Sequence, residues 1–387
     1  MIVAGEASGD THAAKLVSAL KALDDSVKFD FFGSAGEKMR AVGVRPVVKA
    51  DELSVVGLVE IGGALPMFFR AFRALRNAAK AEKPDVAVLV DFPDFNLRLA
   101  RTLKKMGVPV VYYISPQIWA WRSYRANVIR KYVDLLLTIL PFEKDWYAKH
   151  GIDHVEFVGN PLAREVHPTL EKDEFLKKHA LDPNDPIIAL LPGSRRKEIE
   201  RLLPLMIDSA RQMREKNDKL QFVTAAASSA SRDLIEKVLI ARDAVDLLGS
   251  SVLEGETYNI LNAADAAAIS SGTATLEAAI LGVPMVIVFK TSATNYNLLE
   301  PLVSSEHYGL INLIANKRIV KEMIQNDLTV QTLTDELERL LIPETNTAVR
   351  AELIDAAKLL GKGGASKRAA EAVLKLISWS RSVREAV

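Results

Sequence analysis

Asp91 follows an unbroken apolar run, residues 86–90. Such a run reads as a buried parallel strand, and a carboxylate at its carboxyl end points into the crevice where α/β proteins hold ligands. There it can take a proton from an attacking hydroxyl. The segment continues as Phe92-Pro93-Asp94-Phe95-Asn96, in which Asp94 reads equally as a helix cap and Asn96 as a turn residue. Asp91, nearest the strand end, is the first choice for a base.

Two other strand ends are suited to an anion. Leu190 and Leu191 lead into Pro192-Gly193-Ser194-Arg195, after which a helix opens. Arg195 can grip two diphosphate oxygens and stabilise the charge growing on a leaving group. Residues 266–269 lead likewise into Ser270-Ser271-Gly272-Thr273. Backbone N–H groups and the helix dipole make that turn a seat for phosphate, and Thr273 stands where it can cap the helix. Glu277 follows about one turn later, within reach of a ligand hydroxyl such as a ribose. Each turn alone is equally an ordinary strand–turn–helix. Two of them, separated by two strand–helix units, can converge on one nucleotide diphosphate.

Around these lie supporting groups. Gly5-Glu6-Ala7-Ser8-Gly9-Asp10 opens a helix after the first strand, and its small residues, Ser8 among them, allow close approach of a ligand. It is not the dinucleotide fingerprint, because Ala7 and Asp10 occupy the second and third glycine positions. Tyr112 and Tyr113 run into Ile114-Ser115-Pro116-Gln117-Ile118-Trp119-Ala120-Trp121-Arg122. Gln117, Trp119 and Arg122 suit a sugar, acyl or phosphate group, while core filling explains a tryptophan as well. Glu143, after Leu140-Pro141-Phe142, reads as a helix starter. No His/Asp/Glu group has a metal-binding spacing.

Apolar runs at 2–4, 29–32, 86–90, 108–114, 135–140 and 155–158 alternate with helical patterns, as do those at 187–191, 220–224, 245–248, 266–269 and 285–289. The alternation predicts an α/β chain of two parallel-sheet, nucleotide-fold domains with a cleft between their strand ends. Gly159-Asn160-Pro161 and the charged stretch after it place the boundary near 165, giving domains 1–164 and 165–364. Residues 365–387 form a helix that can pack back on the first. In the helix expected over 56–80, Leu65, Phe68, Phe69, Phe72 and Leu75 share one face, and Arg70, Arg73, Arg76 and Lys80 form a second stripe. That pattern suits core packing or a helix lying in an anionic membrane interface. The 387 residues carry 50 basic and 49 acidic side chains, a net +1 that gives no field for recruiting nucleic acid. Cysteine is absent, which excludes thiol chemistry. No apolar run approaches the ~18 residues of a membrane span, and no secretory signal pattern is seen, so membrane contact is expected to be peripheral.

With these motifs in view, the chain resembles the lipid-A-disaccharide synthase family of nucleotide-sugar glycosyltransferases from Gly5 to about Gln325. The carriers are residues 5–10, 56–61, 91–96, 115–122, 140–143, 191–195, 271–277 and Asn312-Leu313-Ile314-Ala315. The resemblance implies a GT-B architecture of two Rossmann-like domains, acceptor-binding first and donor-binding second. It implies transfer from UDP-2,3-diacylglucosamine to 2,3-diacylglucosamine 1-phosphate with inversion, forming a β(1→6) bond and releasing UDP, without cofactor or metal. Asp91 would then be the base, Arg195 would hold the departing diphosphate with Gly193 and Ser194 beside it, and Glu277 would hold the ribose near Ser271, Gly272 and Thr273. Ser8, Asp94, Asn96, Gln117, Trp119 and Arg122 fall on the acceptor side. The resemblance favours the membrane reading of the Phe-rich helix, a cytoplasmic protein on the inner face of the inner membrane, and leaves a homo-oligomer open. Asn160 stands where many relatives carry histidine, and Ile311 where proline is common.

Overall fold

In the first part of the chain, Ala87–Val90, Val110–Tyr113 and Leu135–Thr138 are buried at every position. Strands buried on both faces are characteristic of a parallel sheet covered by helices on two sides. The computed structural model describes all residues except 24–26, 52–60, 249–250, 293–295, 297–305 and 386–387. Contacts divide the chain into two units, Met1–Pro161 with Gly363–Val387, and Leu162–Lys362.

The first unit holds a seven-stranded parallel sheet, β1 (Ile2–Val3), β2 (Phe32–Ala35), β3 (Arg45–Lys49), β4 (Ala87–Val90), β5 (Val110–Tyr113), β6 (Leu135–Thr138) and β7 (Val155–Phe157). Its order is β3-β2-β1-β4-β5-β6-β7. The two-residue period of a strand sends alternate side chains to opposite faces. Leu89, Val110, Tyr112 and Leu136 meet Leu75, Phe95, Leu99 and Leu103 on one side. Val88, Val90, Val111 and Tyr113 meet Leu16, Val17, Leu20, Ala369 and Val373 on the other. The last helix, Ala365–Glu385, lies against Ala7–Leu23, and Arg368 Nε donates to the Val158 carbonyl at 2.8 Å.

The second unit holds a six-stranded parallel sheet, β8 (Ile187–Leu191), β9 (Gln221–Ala226), β10 (Val252–Glu254), β11 (Ala266–Ser270), β12 (Met285–Phe289) and β13 (Glu322–Ile324), ordered β10-β9-β8-β11-β12-β13. In each sheet the strand order reverses once, between β1 and β4 and between β8 and β11. These are the positions where open α/β sheets place their ligands.

Four expectations change. The strand expected at 29–32 lies at Phe32–Ala35, and three short edge strands, Arg45–Lys49, Val252–Glu254 and Glu322–Ile324, carry too little apolar pattern to be read. The run 245–248 is a helical turn: Ala244 and Leu248, four apart, are buried while Val245 is 48% exposed, which is helical and not strand spacing. The helix expected over 56–80 runs Ile61–Glu82, and residues 56–60 of the motif at its start lie outside the described residues.

That helix also corrects the membrane face. Leu75 is fully buried, and Phe68 and Phe72 pack on the core, their rings 6.3 and 5.9 Å from Phe95. They fill the space against the Pro93–Lys105 helix because Ala71, Leu75 and Ala79, four apart, are the buried stripe between them. Phe69, about 100° round the axis, is 74% exposed beside exposed Arg70, Arg73, Arg76 and Lys80. The Leu65 side chain lies outside the described residues. Among the described residues no helix is long and apolar enough to cross a membrane.

Candidate functional site

At the end of β4 two consecutive non-glycine residues adopt left-handed backbone, Asp91 (φ 47°) and Phe92 (φ 52°). Such a pair costs conformational energy and persists only where its surroundings over-determine it. Here they do. The Asp91 amide donates to the Tyr113 carbonyl at 3.0 Å. The Asp91 carbonyl accepts from Tyr112 Oη at 2.6 Å and from Asn96 Nδ2 at 2.7 Å. Asn96 Nδ2 donates also to the Val90 carbonyl at 3.2 Å. The Phe92 ring packs on Phe95 and covers Gly5 so closely that a Cβ there would stand 2.3 Å from it. Gly5 is therefore set by a neighbouring ring and not by its own φ.

The Asp91 carboxyl is raised from its ordinary 3.8 to about 6, first by burial and then by the negative charge of Glu6, against a lowering hydrogen bond from the Phe92 amide. A carboxylate poised there is ionised at neutral pH and a stronger base than a free aspartate. Asn96, fully buried with its amide on two turn carbonyls, holds the Asp91 turn instead of meeting a ligand. Asp94 is exposed and bound by Arg122 at 3.1 Å and by Arg125. The Arg122 guanidinium lies 3.8 Å from the centre of the Trp121 ring.

The two indoles have different lives. Trp119 is 6% exposed, edge-on to Phe142, and donates Nε1–H to Glu143 Oε1 at 3.1 Å, whereas Trp121 is 44% exposed. Trp119 is thus core, and Trp121 with Gln117 supplies the open surface. Glu143 is not a mere helix starter. It is 1% exposed, and burial raises its carboxyl to about 7 against hydrogen bonds from Ser115, Trp119 and backbone amides. The sequence carries one signal for it, an acid immediately after a strand-end Leu-Pro-Phe.

In the opening motif, Ser8 is exposed in the first turn of Ala7–Leu23. Asp10 is structural: its carboxylate accepts the Gly36, Lys38 and Met39 amides at 2.8, 2.9 and 3.2 Å, closing the start of the Glu37–Ala41 helix. Glu6, Ser8, Asp10, Lys38 and Asp51 border an open cleft of about 370 Å³.

In the second unit one cleft of about 360 Å³ gathers Gly193, Ser194 and Arg195 from the end of β8 with Ser271, Gly272, Thr273 and Glu277 from the end of β11. Gly193 takes φ 105°, and a Cβ there would meet Glu198 Oε2 at 2.5 Å. Glu198 accepts the Arg195 amide at 3.3 Å and pairs with its guanidinium at 3.0 Å. The Arg195 side chain is 83% exposed, so that pair is worth at most about 1 kcal/mol and is readily exchanged for an anion.

Thr273 does not cap the helix. It already has helical dihedrals and makes no side-chain cap bond, while Thr275 Oγ1 donates to the Gly272 carbonyl at 2.8 Å. Gly272, Thr273 and Ala274 line the cleft at the helix start, where a helix leaves N–H groups without intrahelical acceptors. Glu277 is raised by burial and accepts from Tyr258 Oη at 3.3 Å. It also borders an adjoining recess of about 230 Å³ with Gly255, Thr257 and Tyr258. Asn312 belongs to the last of the motifs that carry the resemblance. It is fully buried, its amide donating to the Val320 carbonyl and Glu322 and its oxygen accepting the Ile319 and Val320 amides.

Two solved structures share this fold. A UDP-GlcNAc 2-epimerase of Neisseria meningitidis bound to UDP-GlcNAc has TM-score 0.60 at 14% identity, covering 95% of this chain and 97% of its own. A calicheamicin glycosyltransferase has TM-score 0.58 at 16% identity, covering 97% and 98%. The architecture is that of GT-B glycosyltransferases. Among curated proteins, the lipid-A-disaccharide synthase of Geobacter sulfurreducens is 41% identical over 378 residues, 97% of either chain. That of Myxococcus xanthus is 40% identical over 385 residues, 98% of either chain. The family described as lipid-A-disaccharide synthetase matches residues 1–376. On a match of that extent, with both sheets and their strand-end turns in place, the chain belongs to the lipid-A-disaccharide synthase family.

Proposed function

We propose that this glycosyltransferase moves 2,3-diacylglucosamine from its UDP conjugate to the 6-hydroxyl of 2,3-diacylglucosamine 1-phosphate, inverting the anomeric centre. Asp91 accepts the hydroxyl proton as the acceptor oxygen attacks the anomeric carbon, and the bond to the diphosphate breaks to release UDP. Arg195 leaves Glu198 to hold the departing diphosphate, with amides of the Gly193–Ser194 and Ser271–Thr273 turns beside it. Glu277 accepts ribose hydroxyls, and the recess beyond it accommodates the base. The observation that carries this reading is the single cleft in which both turns and Glu277 meet.

On the acceptor side, Ser8, Asp94 and Gln117 are exposed among the groups named from the sequence, and Arg122 is half-buried. Arg122, freed from Asp94, suits the 1-phosphate. Because both substrates carry acyl chains, we assign Phe69 with Arg70, Arg73, Arg76 and Lys80 to an anionic bilayer surface, the cytoplasmic face of the inner membrane. Asp91→Asn tests the central step. It should abolish acceptor-dependent UDP release while UDP affinity, a property of the other unit, stays within about twofold. Turnover at the wild-type rate would overturn the assignment.

A further inference from the structure

Glu143 has no part in the transfer as set out above, yet its carboxyl ties together two strand ends. Oε1 accepts the Trp119 indole N–H at 3.1 Å, and Oε2 accepts the Leu140 amide at 3.2 Å. The first partner follows β5 and the second follows β6, neighbours in the sheet. The same helix, Glu143–Lys149, carries the fully buried Tyr147, whose hydroxyl donates to the Pro116 carbonyl at 3.0 Å. Phe142, just before it, meets the Trp119 ring edge-on at 5.0 Å. Three side chains in a row of six residues therefore pin residues 116–119.

That segment carries exposed Gln117 and leads to exposed Trp121 and half-buried Arg122, which reaches Asp94, three residues beyond Asp91. Tyr112, on β5 just before it, bonds the Asp91 carbonyl. A buried carboxyl among neutral partners costs stability that an apolar side chain of similar size does not. Only a double acceptor, however, holds an indole N–H and an amide N–H at once.

We propose that Glu143 is a positioning residue for acceptor binding, fixing the 116–122 segment at the sheet edge that carries Asp91. The inference rests on reading that edge as the acceptor side. It predicts a change in acceptor parameters alone, because the donor cleft belongs to the other unit.

The test is steady-state kinetics of the full-length protein in mild detergent, each substrate varied in turn, for Glu143→Leu, Glu143→Gln and Trp119→Phe. Glu143→Leu should raise the acceptor KM about tenfold, the scale of one lost buried hydrogen bond, with the donor KM within about twofold. Glu143→Gln keeps an oxygen for Trp119 and should recover most of that loss. Trp119→Phe keeps the ring on Phe142 and removes the N–H, so it should raise the acceptor KM about fivefold even if Glu143→Leu does not fold. An acceptor KM unchanged in Trp119→Phe would overturn the proposal, as would donor and acceptor KM rising together in it. Asp91→Asn serves as the separate control. If it retained turnover, the acceptor-side reading itself would fall, whatever the Glu143 variants did.

Discussion

Replacing Asp91 with Asn should make the protein inactive and more stable at once. The carboxyl sits at about 6 against an ordinary 3.8, chiefly through burial. A folded pKa above the unfolded one means that the folded state binds the proton more tightly. The contribution of this carboxyl to stability is then greatest below pH 4 and is lost as pH rises through 6. At pH 7.5 the ionised carboxyl costs up to about 3 kcal/mol, and at pH 5 roughly half of that. Asn carries no charge and tolerates the left-handed backbone better than most residues, while its side-chain oxygen can keep the Phe92 amide. The carboxyl is not wholly shut off from solvent, so a gain of about 1–3 kcal/mol at pH 7.5 is expected, shrinking towards pH 5.

Urea unfolding followed by tryptophan emission reads this directly. All four tryptophans, Trp119, Trp121, Trp146 and Trp379, lie in the unit that carries Asp91. The midpoint for Asp91→Asn should exceed that of the wild type at pH 7.5 and approach it at pH 5. A variant less stable than the wild type, or a gap that ignores pH, would refute the claim that burial has raised this carboxyl.

Arg195→Ala should lose UDP release by about two orders of magnitude or more but shift the unfolding midpoint little, since its ion pair with Glu198 is exposed. A stability loss above about 2 kcal/mol would show that the arginine is structural. Gly5→Ala places a methyl 2.3 Å from the Phe92 ring. It should cost about 1–3 kcal/mol by overpacking and lower kcat by displacing the Asp91 turn, as read by unfolding and initial rates. Phe69→Ser should weaken binding to anionic vesicles and leave the unfolding midpoint unchanged. Leu75→Ser should destabilise by several kcal/mol, and equal effects of the two on stability would contradict the division of that helix into buried and exposed faces.

The strand ends were readable because runs such as 86–90 and 266–269 are apolar at every position, which only a doubly covered strand requires. Asp91, Arg195 and Glu277 could be named from their distance to those ends. What sequence order hides is partnership across the fold. Asp10 holds the amides of Gly36, Lys38 and Met39, Asn312 closes a loop seven and eight residues on, and Glu143 finds its indole twenty-four residues back. Each is a polar residue whose partner lies elsewhere in the chain, and for Glu143 the local reading as a helix starter was reasonable. The Phe-rich helix failed differently: a wide apolar arc has one period whether it meets a core or a membrane, and only the Pro93–Lys105 helix packed against it decides which residues remain outside. Thr273 shows that a well-placed hydroxyl does not guarantee a cap, because the chain had entered helical dihedrals one residue sooner.

The most direct test of the central claim is UDP release from UDP-2,3-diacylglucosamine by the wild-type protein in mild detergent, with and without 2,3-diacylglucosamine 1-phosphate, with the lipid product analysed. Release that requires the acceptor, with a β(1→6)-linked disaccharide 1-phosphate formed in equal amount, is the predicted result. Release without the acceptor, or binding of the donor with no disaccharide formed, would contradict it.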